Sequence, residues 1–313
     1  MAKPVVKWAG GKRQLLGEIY ARFPAGFGRY HEPFLGGGAV FFDLEPGDAT
    51  VNDANPRLVN FYRQARDRPD ALVERLREFR HPGAAPDPAQ SFADETACGK
   101  PVEEYYYQQR ARFNRRAYAD DWPADDGDRL EEAALLLYLN RTCYNGLYRE
   151  NSDGGFNVPK GRYSDPDWVQ ADRVRAAARV LADAEVRNAD FEYVLDAAAP
   201  GDLVYLDPPY EPMSATADFA EYSAGGFDRA DQERLLDAVI ELDGRGVHVV
   251  VSNSGVTYDR YVDAGLAVDR VGATRAINSD GDARDEVDEI LATTVTPENR
   301  AGADQRTLSD YHS

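Results

Sequence analysis

Near residue 207 an apolar segment ends abruptly in an acid, two prolines and an aromatic ring. Residues 203–206 read Leu-Val-Tyr-Leu and are followed by Asp207, Pro208, Pro209 and Tyr210. Proline fixes its backbone angle and carries no amide hydrogen, so a strand that reaches this point cannot continue. The carbonyl groups beside Asp207 are therefore left outside the hydrogen-bonded ladder of a sheet.

A carboxylate next to such a carbonyl can hold an amino group by accepting both of its hydrogens. The exocyclic N6 amine of adenine is a poor nucleophile because its lone pair is delocalised into the ring, and two acceptors would aim that lone pair at a methyl donor. Orientation and charge placement would supply the catalysis, with no covalent enzyme intermediate. The candidate catalytic residues are Asp207, Pro208 and Tyr210, with Tyr210 able to stack on a flipped base. The alternative is a strand end closed by a Pro-Pro turn.

A glycine-rich segment, Phe34-Leu-Gly-Gly-Gly38, follows another candidate strand and leads into an apolar stretch. Glycines at the start of a helix let backbone amides approach a ligand, which makes Phe34, Gly36 and Gly38 candidate cofactor contacts. A dinucleotide fingerprint would need a further glycine where Phe41 stands, so a nicotinamide dehydrogenase is disfavoured. A glycine-rich turn without any ligand is equally compatible with this segment.

Asp53 follows the next candidate strand, residues 50–51. A carboxylate in that place can accept both hydroxyls of a ribose, which makes Asp53 a candidate cofactor contact. It could equally cap a helix or form a turn before Pro56.

Short β-rich segments alternate with helix-like stretches along most of the chain, which predicts an α/β sheet. The expected strands are residues 30–34, 50–51, 203–206, 247–252, 266–271 and 287–294. The expected helices are residues 13–22, 39–44, 56–66, 70–80 and 229–242.

The pattern of apolar and turn-forming residues between residues 67 and 180 differs from the pattern in the flanking segments. Residues 130–140 are apolar almost all round and predict a buried helix. Asp153-Gly154 lies between residues 146–152 and 156–163 and signals a hairpin turn. We therefore expect a mainly helical inserted domain with one β-hairpin.

These patterns together predict the domain organisation. Residues 1–66 and 181–300 should form a Rossmann-like α/β catalytic domain, and residues 67–180 the insert. Residues 301–313 should form an acidic tail.

The chain is acidic, with 55 Asp and Glu against 36 Lys and Arg and a formal net charge of −19. A negative surface repels a polyanion, yet basic residues collect in three islands, at 1–30, 105–118 and 140–164. Such islands suit a DNA-facing surface, although each taken alone could simply pair with neighbouring carboxylates. Scarce lysine with abundant aspartate indicates a halophilic protein that works in molar KCl.

Cys98 and Cys143 stand in unrelated contexts without histidine spacing, so neither a zinc site nor a disulfide framework is expected. The N-terminus lacks an apolar signal core, and no stretch approaches the roughly 20 apolar residues of a spanning helix. The sequence predicts a cytoplasmic, monomeric protein without a metal.

Several of these motifs together resemble the Dam-type, D12 class DNA adenine N6-methyltransferases. Three occur in the same order along the chain: Lys7-Trp-Ala-Gly-Gly-Lys12, Phe34-Leu-Gly-Gly-Gly38 and Asp207-Pro-Pro-Tyr210. The likeness extends through residues 139–149, 156–163 and 212–219, so it covers nearly the whole chain.

The resemblance implies a sheet that binds S-adenosylmethionine (AdoMet) and an inserted target-recognition domain that binds double-stranded DNA. It assigns Trp8, Lys12, Asp53 and Asp207 to the cofactor pocket, with Asp190 and Phe191 nearby, so Asp207 would serve both cofactor and target amine. It also assigns a major-groove reader to residues 144–163. Within that reader the expected DNA contacts are Tyr144, Asn145, Leu147, Arg149, Pro159, Arg162 and Tyr163. Arg149 would donate to a guanine edge of a GATC target.

Three alternatives stay open at this point. An RNA or protein N-methyltransferase is the nearest, since similar Asp-Pro-Pro-Tyr motifs occur in such enzymes. A cytosine C5-methyltransferase would need a nucleophilic cysteine in a Pro-Cys context, which the chain lacks. The third alternative is a DNA-binding regulator that keeps the fold without catalysis.

Overall fold

The computed structural model describes residues 2–90, 103–117, 125–210, 227–274 and 286–301. The expected acidic tail, from residue 302 onwards, lies outside these residues. The chain divides into two compact units. The first comprises Met1–Ala9 with Asn55–Ala182, and the second comprises Gly10–Ala54 with Asp183–Ser313.

All strands described belong to the second unit. They are β1 (Tyr30–Glu32), β2 (Ala49–Asn52), β3 (Ala184–Arg187), β4 (Leu203–Leu206), β5 (His248–Ser254), β6 (Ala267–Thr274) and β7 (Glu286–Thr293). In the described residues they form one seven-stranded sheet in the order β3-β2-β1-β4-β5-β7-β6. The sheet is parallel except for β7, which runs antiparallel to both of its neighbours. The α/β prediction is therefore confirmed.

The central strands are apolar because both faces of the sheet are covered. Every residue of β4 is buried, and β5 is buried from Val249 to Ser254. Strands buried on both faces read as continuous apolar segments rather than as an alternation. Leu235, Val239 and Leu242 of the long helix that precedes β5 pack into the same core.

The helices fall into two groups. The second unit holds α1 (Leu16–Tyr20), α2 (Phe41–Leu44), α8 (Tyr193–Ala197), α9 (Arg229–Gly244) and α10 (Tyr258–Asp263). The first unit holds α3 (Pro56–Asp67), α4 (Pro69–Arg77), α5 (Tyr105–Ala117), α6 (Asp126–Thr142) and α7 (Ala171–Leu181). Among the residues described, no helix has the length and apolar character that crossing a membrane requires.

The order of the strands creates a switch point between β1 and β4. From β1 the chain order runs outward through β2 to β3, whereas on the other side of β1 it runs from β4 to β5. In open α/β sheets ligands bind at such a point, beyond the carboxyl ends of the strands. The segments that follow β1 and β4 are the glycine-rich loop and Asp207-Pro-Pro-Tyr210. Topology thus brings the two strongest motifs of the sequence to one edge.

Helix α6 is the centre of the first unit. Its residues from Ala133 to Asn140 are all buried, which confirms the helix expected from the all-round apolar pattern. Asp125 caps it by accepting a hydrogen bond from the Asp128 amide at 2.9 Å. The Arg57 guanidinium of α3 pairs with the buried Glu132 of α6 and lies over the Phe113 ring of α5. This buried pair links three helices of the unit.

The expected β-hairpin is present as a turn but not as two regular strands. Isolated antiparallel bridges join Cys143 to Lys160 and Glu150 to Phe156. The Asn157 amide donates to the Arg149 carbonyl at 3.0 Å, so the two arms run antiparallel. Asn145 has a φ of 54° inside a single 3₁₀ turn just before the expected first arm, and this left-handed residue separates the Cys143–Lys160 bridge from the pairing nearer the turn. Asparagine is among the few residues that accept this conformation.

The unit boundaries differ from the expected domain boundaries. The helix α3 and residues 1–9 fall in the helical unit, whereas they were expected with the sheet. The reason is packing, because α3 buries its apolar face against α6 and α7. The assignment of catalysis to one unit and target recognition to the other stays a prediction.

Candidate active site

Asp207 begins the segment that leaves β4 at the carboxyl edge of the sheet. Its side chain is 21% exposed, while Pro208 is buried and Tyr210 half-buried. Gln232 of α9 donates to the Pro209 carbonyl at 3.1 Å. Among the described residues no donor reaches the Pro208 carbonyl, so a carboxylate and an unused carbonyl stand side by side.

A buried ammonium organises the groups around Asp207. Lys12 Nζ lies 2.9 Å from Asp207 Oδ1 and donates to the Tyr210 hydroxyl and the Gly10 carbonyl, each at 2.9 Å. Glu289 Oε2 lies 3.9 Å from the same nitrogen. The site therefore combines one cation, two carboxylates and a phenol. Lys12 and Asp207, which the resemblance assigns to one pocket, are in contact, and Tyr210 joins them.

Burial and these contacts shift the pKa values of the cluster. Burial raises the pKa of Asp207 to about 6, although Lys12 opposes the shift. Burial alone would lower the pKa of Lys12, but Asp207, Tyr210 and Glu289 outweigh it and raise that pKa. Burial and the neighbouring carboxylates likewise raise the pKa of Tyr210. Lys12 is thus a permanent cation, and Asp207 is a carboxylate that can take up a proton near neutral pH.

Glu289 was not anticipated from the sequence. It lies on β7, opposite Ser254 of β5, and is 6% exposed. Glu289 is one of three acids at the start of this strand, with Glu286 and Asp288, and acids grouped in this way are usually exposed. The antiparallel pairing of β7 instead turns Glu289 towards Lys12, a contact between residues far apart in sequence.

The glycine-rich loop is closed onto Asp53. The Gly36 amide donates to Asp53 Oδ2 at 2.9 Å, so two of the candidate cofactor contacts are in direct contact. Gly38 has a φ of 70°, and a Cβ there would lie 2.7 Å from the Phe42 ring. Any other residue would be strained and crowded at this position. The helix that follows, α2, is a single turn and shorter than expected.

Asn52 holds the loops of this edge together and was also missed. Its buried side chain donates to the carbonyls of Pro33 and Ala189 at 2.9 and 3.0 Å, and accepts from the Ala189 amide at 2.9 Å. An asparagine at the end of a strand carries no distinctive signal in a sequence, because turns use the same residue.

An aromatic cluster adjoins the loops. Phe34 and Phe191 stack with ring centroids 5.5 Å apart, and Phe227 meets both at 5.5 and 5.7 Å. Arg234 of α9 covers the Phe191 ring and pairs with Asp190 at 3.0 Å. The structure therefore places Phe34, Asp190 and Phe191 together, and adds Phe227 and Arg234.

The chain was compared with known families and proteins. Residues 8–277 match the family model of the D12 class N6 adenine-specific DNA methyltransferases. The chain belongs to this family. It is an adenine-specific DNA methyltransferase, as the motifs indicated.

Three relatives illustrate the likeness. The Type II methyltransferase M1.LlaDCHI of Lactococcus lactis subsp. cremoris is 36% identical over 293 residues, which are 93% of this chain and 95% of the relative. The Type II methyltransferase M.MjaIII of Methanocaldococcus jannaschii is 35% identical over 300 residues, 92% and 98% of the two chains. The DNA adenine methylase of Escherichia coli K12 is 36% identical over 294 residues, 92% and 93%.

Trp8 of this methyltransferase belongs to the first unit. Its indole stacks on the Tyr148 ring with centroids 5.0 Å apart and planes inclined by 25°. Tyr148 was not among the expected site residues, although it lies within the expected DNA reader. The reason is that an aromatic contact between positions so far apart in sequence leaves no periodic signal.

The residues expected to contact DNA lie on the antiparallel turn of the first unit. The Tyr144 amide donates to the Pro159 carbonyl at 2.8 Å, which brings the two arms together. Asn145 and Leu147, like Tyr144, are half-buried. The exposed members are Arg149, Pro159, Arg162 and Tyr163.

Arg149 is held in place by its own turn. Its Nε donates to Asn157 Oδ1 at 2.7 Å, and the residue is exposed. Tyr163, on the same turn, has the ammonium group of the N-terminal Lys7 at 4.8 Å from its ring centre.

Many arginines and lysines of the three basic islands are paired with carboxylates. Lys160 pairs with Glu104 at 2.5 Å and Arg112 with Glu131 at 2.7 Å. Arg22 pairs with Asp269 at 2.8 Å. The surface charge of the islands is therefore less positive than their sequence suggests, because tertiary contacts place acids from distant parts of the chain beside these arginines and lysines.

The pKa of Asp207 leads to a pH-dependence. Protonation removes the negative charge of Asp207 and leaves it unable to take up the N6 proton, so kcat/KM for methyl transfer should be lost as pH falls through about 6, tenfold per unit below it. Lys12 lowers the pKa of Asp207, so Lys12→Gln should move this acid limb to higher pH. Rates measured from pH 5 to 9 test both points. An acid limb that does not move in Lys12→Gln would assign it to another group.

Proposed function

We propose that this chain transfers the methyl group of AdoMet to N6 of adenine in duplex DNA, within GATC, after the base has flipped out of the helix. The observation that carries the proposal is the pair of acceptors beyond β4. Asp207 is anchored by Lys12 at 2.9 Å, and the Pro208 carbonyl beside it is not used by the described residues.

The two acceptors would bind the two hydrogens of the target amine. Hydrogen bonds from both N6 hydrogens to these acceptors favour a tetrahedral nitrogen, whose lone pair points towards the methyl donor. The catalysis then comes from orientation and electrostatics. The N6 lone pair then forms the new N–C bond while the S–C bond breaks towards sulfur. Asp207 accepts the proton that N6 loses and passes it to water, a role that a pKa of about 6 permits.

The residues of the carboxyl edge fit AdoMet as a ligand. The half-buried Asp53 carboxylate can accept from ribose hydroxyls. The rings of Phe34 and Phe191 offer an apolar surface for a purine. The carboxylates of Asp207 and Glu289 provide negative charge for a cation, and when bound AdoMet supplies an electrophilic methyl group on a positively charged sulfur. Gly36, Gly38, Lys12 and Asp190 complete the proposed set in this unit, and the resemblance adds Trp8.

The burial of the two acceptors supports base flipping. Asp207 is only 21% exposed and Pro208 is buried, so an amine inside a base-paired duplex could not reach both acceptors. The half-buried ring of Tyr210 provides a face on which an extruded adenine can stack.

We assign recognition of the DNA sequence to the antiparallel turn of residues 144–163. Arg149 is the best candidate for a guanine contact because the residue is exposed and Asn157 fixes its Nε. A guanidinium can donate two hydrogen bonds to O6 and N7 of guanine in the major groove. The name of the E. coli relative, a DNA adenine methylase, supports the same target base.

The alternatives are less well supported. A cytosine C5-methyltransferase needs a reactive thiolate, whereas burial raises the pKa of the Cys143 thiol to about 12. Cys98 lies outside the described residues. A regulator without catalysis would not need Lys12, Asp207 and Tyr210 in one hydrogen-bonded cluster.

The proposal is tested by transfer of labelled methyl groups from AdoMet to short DNA duplexes in molar KCl. We expect incorporation into a duplex with GATC and none into a duplex in which the target adenine is replaced. Arg149→Ala should lower kcat/KM on GATC by about 10- to 100-fold, which is the loss of one bidentate base contact.

The controls separate chemistry from specificity. Arg175→Ala removes an exposed arginine of α7 that pairs with Asp70 and should leave the rate within twofold. Equal incorporation into both duplexes would discard GATC as the target. Incorporation into an RNA hairpin alone would assign the enzyme to RNA, and binding of DNA without transfer would support the regulator.

A further inference from the structure

A second buried carboxylate lies in the cluster and takes no part in the acceptor scheme. Glu289 contacts the Lys12 ammonium at 3.9 Å, and Lys12 in turn lies 2.9 Å from Asp207. The ammonium therefore faces two carboxylates. If both acids are ionised, this group of side chains carries one more negative than positive charge.

One oxygen of Glu289 has no hydrogen-bond donor. Glu289 also accepts a hydrogen bond from the Tyr210 hydroxyl. Its Oε2, the oxygen that lies 3.9 Å from the Lys12 ammonium, is enclosed and lacks a hydrogen-bond donor among the described residues. Natural proteins leave few buried polar atoms in this state, because each costs free energy. A cation bound beside the cluster would offset that cost.

The proposed reaction brings such a cation to this place, and the inference rests on that proposed function. With Asp207 holding the target amine, the methyl carbon must lie about 3–3.5 Å from N6 in the reactive geometry. The positively charged sulfur is bonded to that carbon, so it lies near Asp207 and its neighbours. After transfer the sulfur is neutral.

We propose that Glu289 is a specificity-determining residue, whose charge makes the site prefer the cationic methyl donor over the neutral sulfur product. Lys12 offsets the charge of Asp207, and Glu289 restores a net negative potential at the sulfur. The same potential favours release of the product, because the product no longer carries the charge that Glu289 attracts. A purely structural Glu289 would affect donor and product alike.

The decisive measurement compares ligands that differ in charge at one position. Isothermal titration would give the Kd of AdoMet, of S-adenosylhomocysteine, which is neutral at sulfur, and of sinefungin, which carries an amine in place of the methyl sulfonium. In Glu289→Gln we expect affinity for AdoMet and sinefungin to fall about tenfold and affinity for S-adenosylhomocysteine to change less than twofold.

Further variants keep the test decisive. Lys12 retains Asp207 when Glu289 is neutral, so Glu289→Gln should fold, and Glu289→Met provides a second neutral side chain of similar length. Asp269→Asn removes the same charge from an exposed residue of β6 and should alter no Kd ratio. Glu289 also raises the pKa of Asp207, so Glu289→Gln should move the acid limb of kcat/KM to lower pH.

Two results would overturn the inference. Equal loss of affinity for AdoMet and S-adenosylhomocysteine in both neutral variants would make Glu289 structural, and unchanged affinities would remove it from the site. If the wild-type protein methylates DNA and binds AdoMet, these results reject only the role of Glu289. If the wild-type protein binds neither AdoMet nor S-adenosylhomocysteine, the proposed function itself fails.

Discussion

Replacing Asp207 with asparagine should lower kcat for methyl transfer by about 10³-fold. Asparagine has nearly the same shape, but it loses the negative charge and presents an amide that donates hydrogen bonds. The target amine would keep the Pro208 carbonyl and lose its stronger acceptor, a change of the size seen when one oriented electrostatic group is removed from a catalytic site. Single-turnover measurements with preformed enzyme and duplex DNA would report the chemical step directly.

The variant must be separated from a general loss of structure. Asp237→Asn is a matched control, because Asp237 is an exposed residue of α9 in the same unit. It should retain the wild-type rate within twofold, and Asp207→Asn should still bind duplex DNA with nearly wild-type affinity. A rate above one tenth of wild type in Asp207→Asn would exclude this carboxylate as the essential acceptor.

Glu132→Gln should destabilise the protein by about 3–5 kcal/mol, the cost of breaking a buried ion pair. Glu132 is fully buried, and its partner Arg57 is enclosed between α3, α5 and α6. Arg57 also donates to the Phe113 carbonyl at 2.5 Å, so it cannot turn to solvent without breaking a second contact. The variant leaves a guanidinium without its counter-charge in the interior of the first unit.

Urea unfolding followed by circular dichroism would measure this loss, provided that the first unit unfolds in a resolved transition. Glu74→Gln removes one partner of an exposed pair with Arg77 and should cost less than about 1 kcal/mol. A double variant, Arg57→Met with Glu132→Leu, should recover much of the stability, because two apolar groups need no counter-charge. Equal losses in the free energy of unfolding for Glu132→Gln and Glu74→Gln would contradict the large cost expected for breaking the buried pair.

The central part of the sheet could be predicted from the sequence. The strand β4 was placed residue by residue, since a continuous apolar segment closed by two prolines has few other interpretations. The strand β3 was missed because it alternates buried alanine and valine with Glu185 and Arg187. With only four residues it lies at the edge of the sheet, where the alternation is too short to stand out.

The sequence predicted that the first unit is mainly helical, but it did not predict how its helices are arranged. The buried helix α6 followed from its apolar residues, but α7 was not anticipated, although Val174, Ala177 and Leu181 line one face. The hairpin signal at Asp153-Gly154 gave the turn correctly. It could not show that the two arms pair only through isolated bridges, because regular pairing depends on partners across the turn.

The sequence by itself determined the chemistry of this methyltransferase and the residues at its strand ends. Asp207 and the glycine-rich loop are local signals, since proline and glycine constrain the backbone wherever they occur. Only the tertiary structure decided how charge is distributed in the site. The contacts of Lys12 with Asp207 and Glu289 and the anchoring of the Pro209 carbonyl by Gln232 join residues distant in sequence. Such contacts arise from sheet topology and burial, and no local pattern of residue types encodes them.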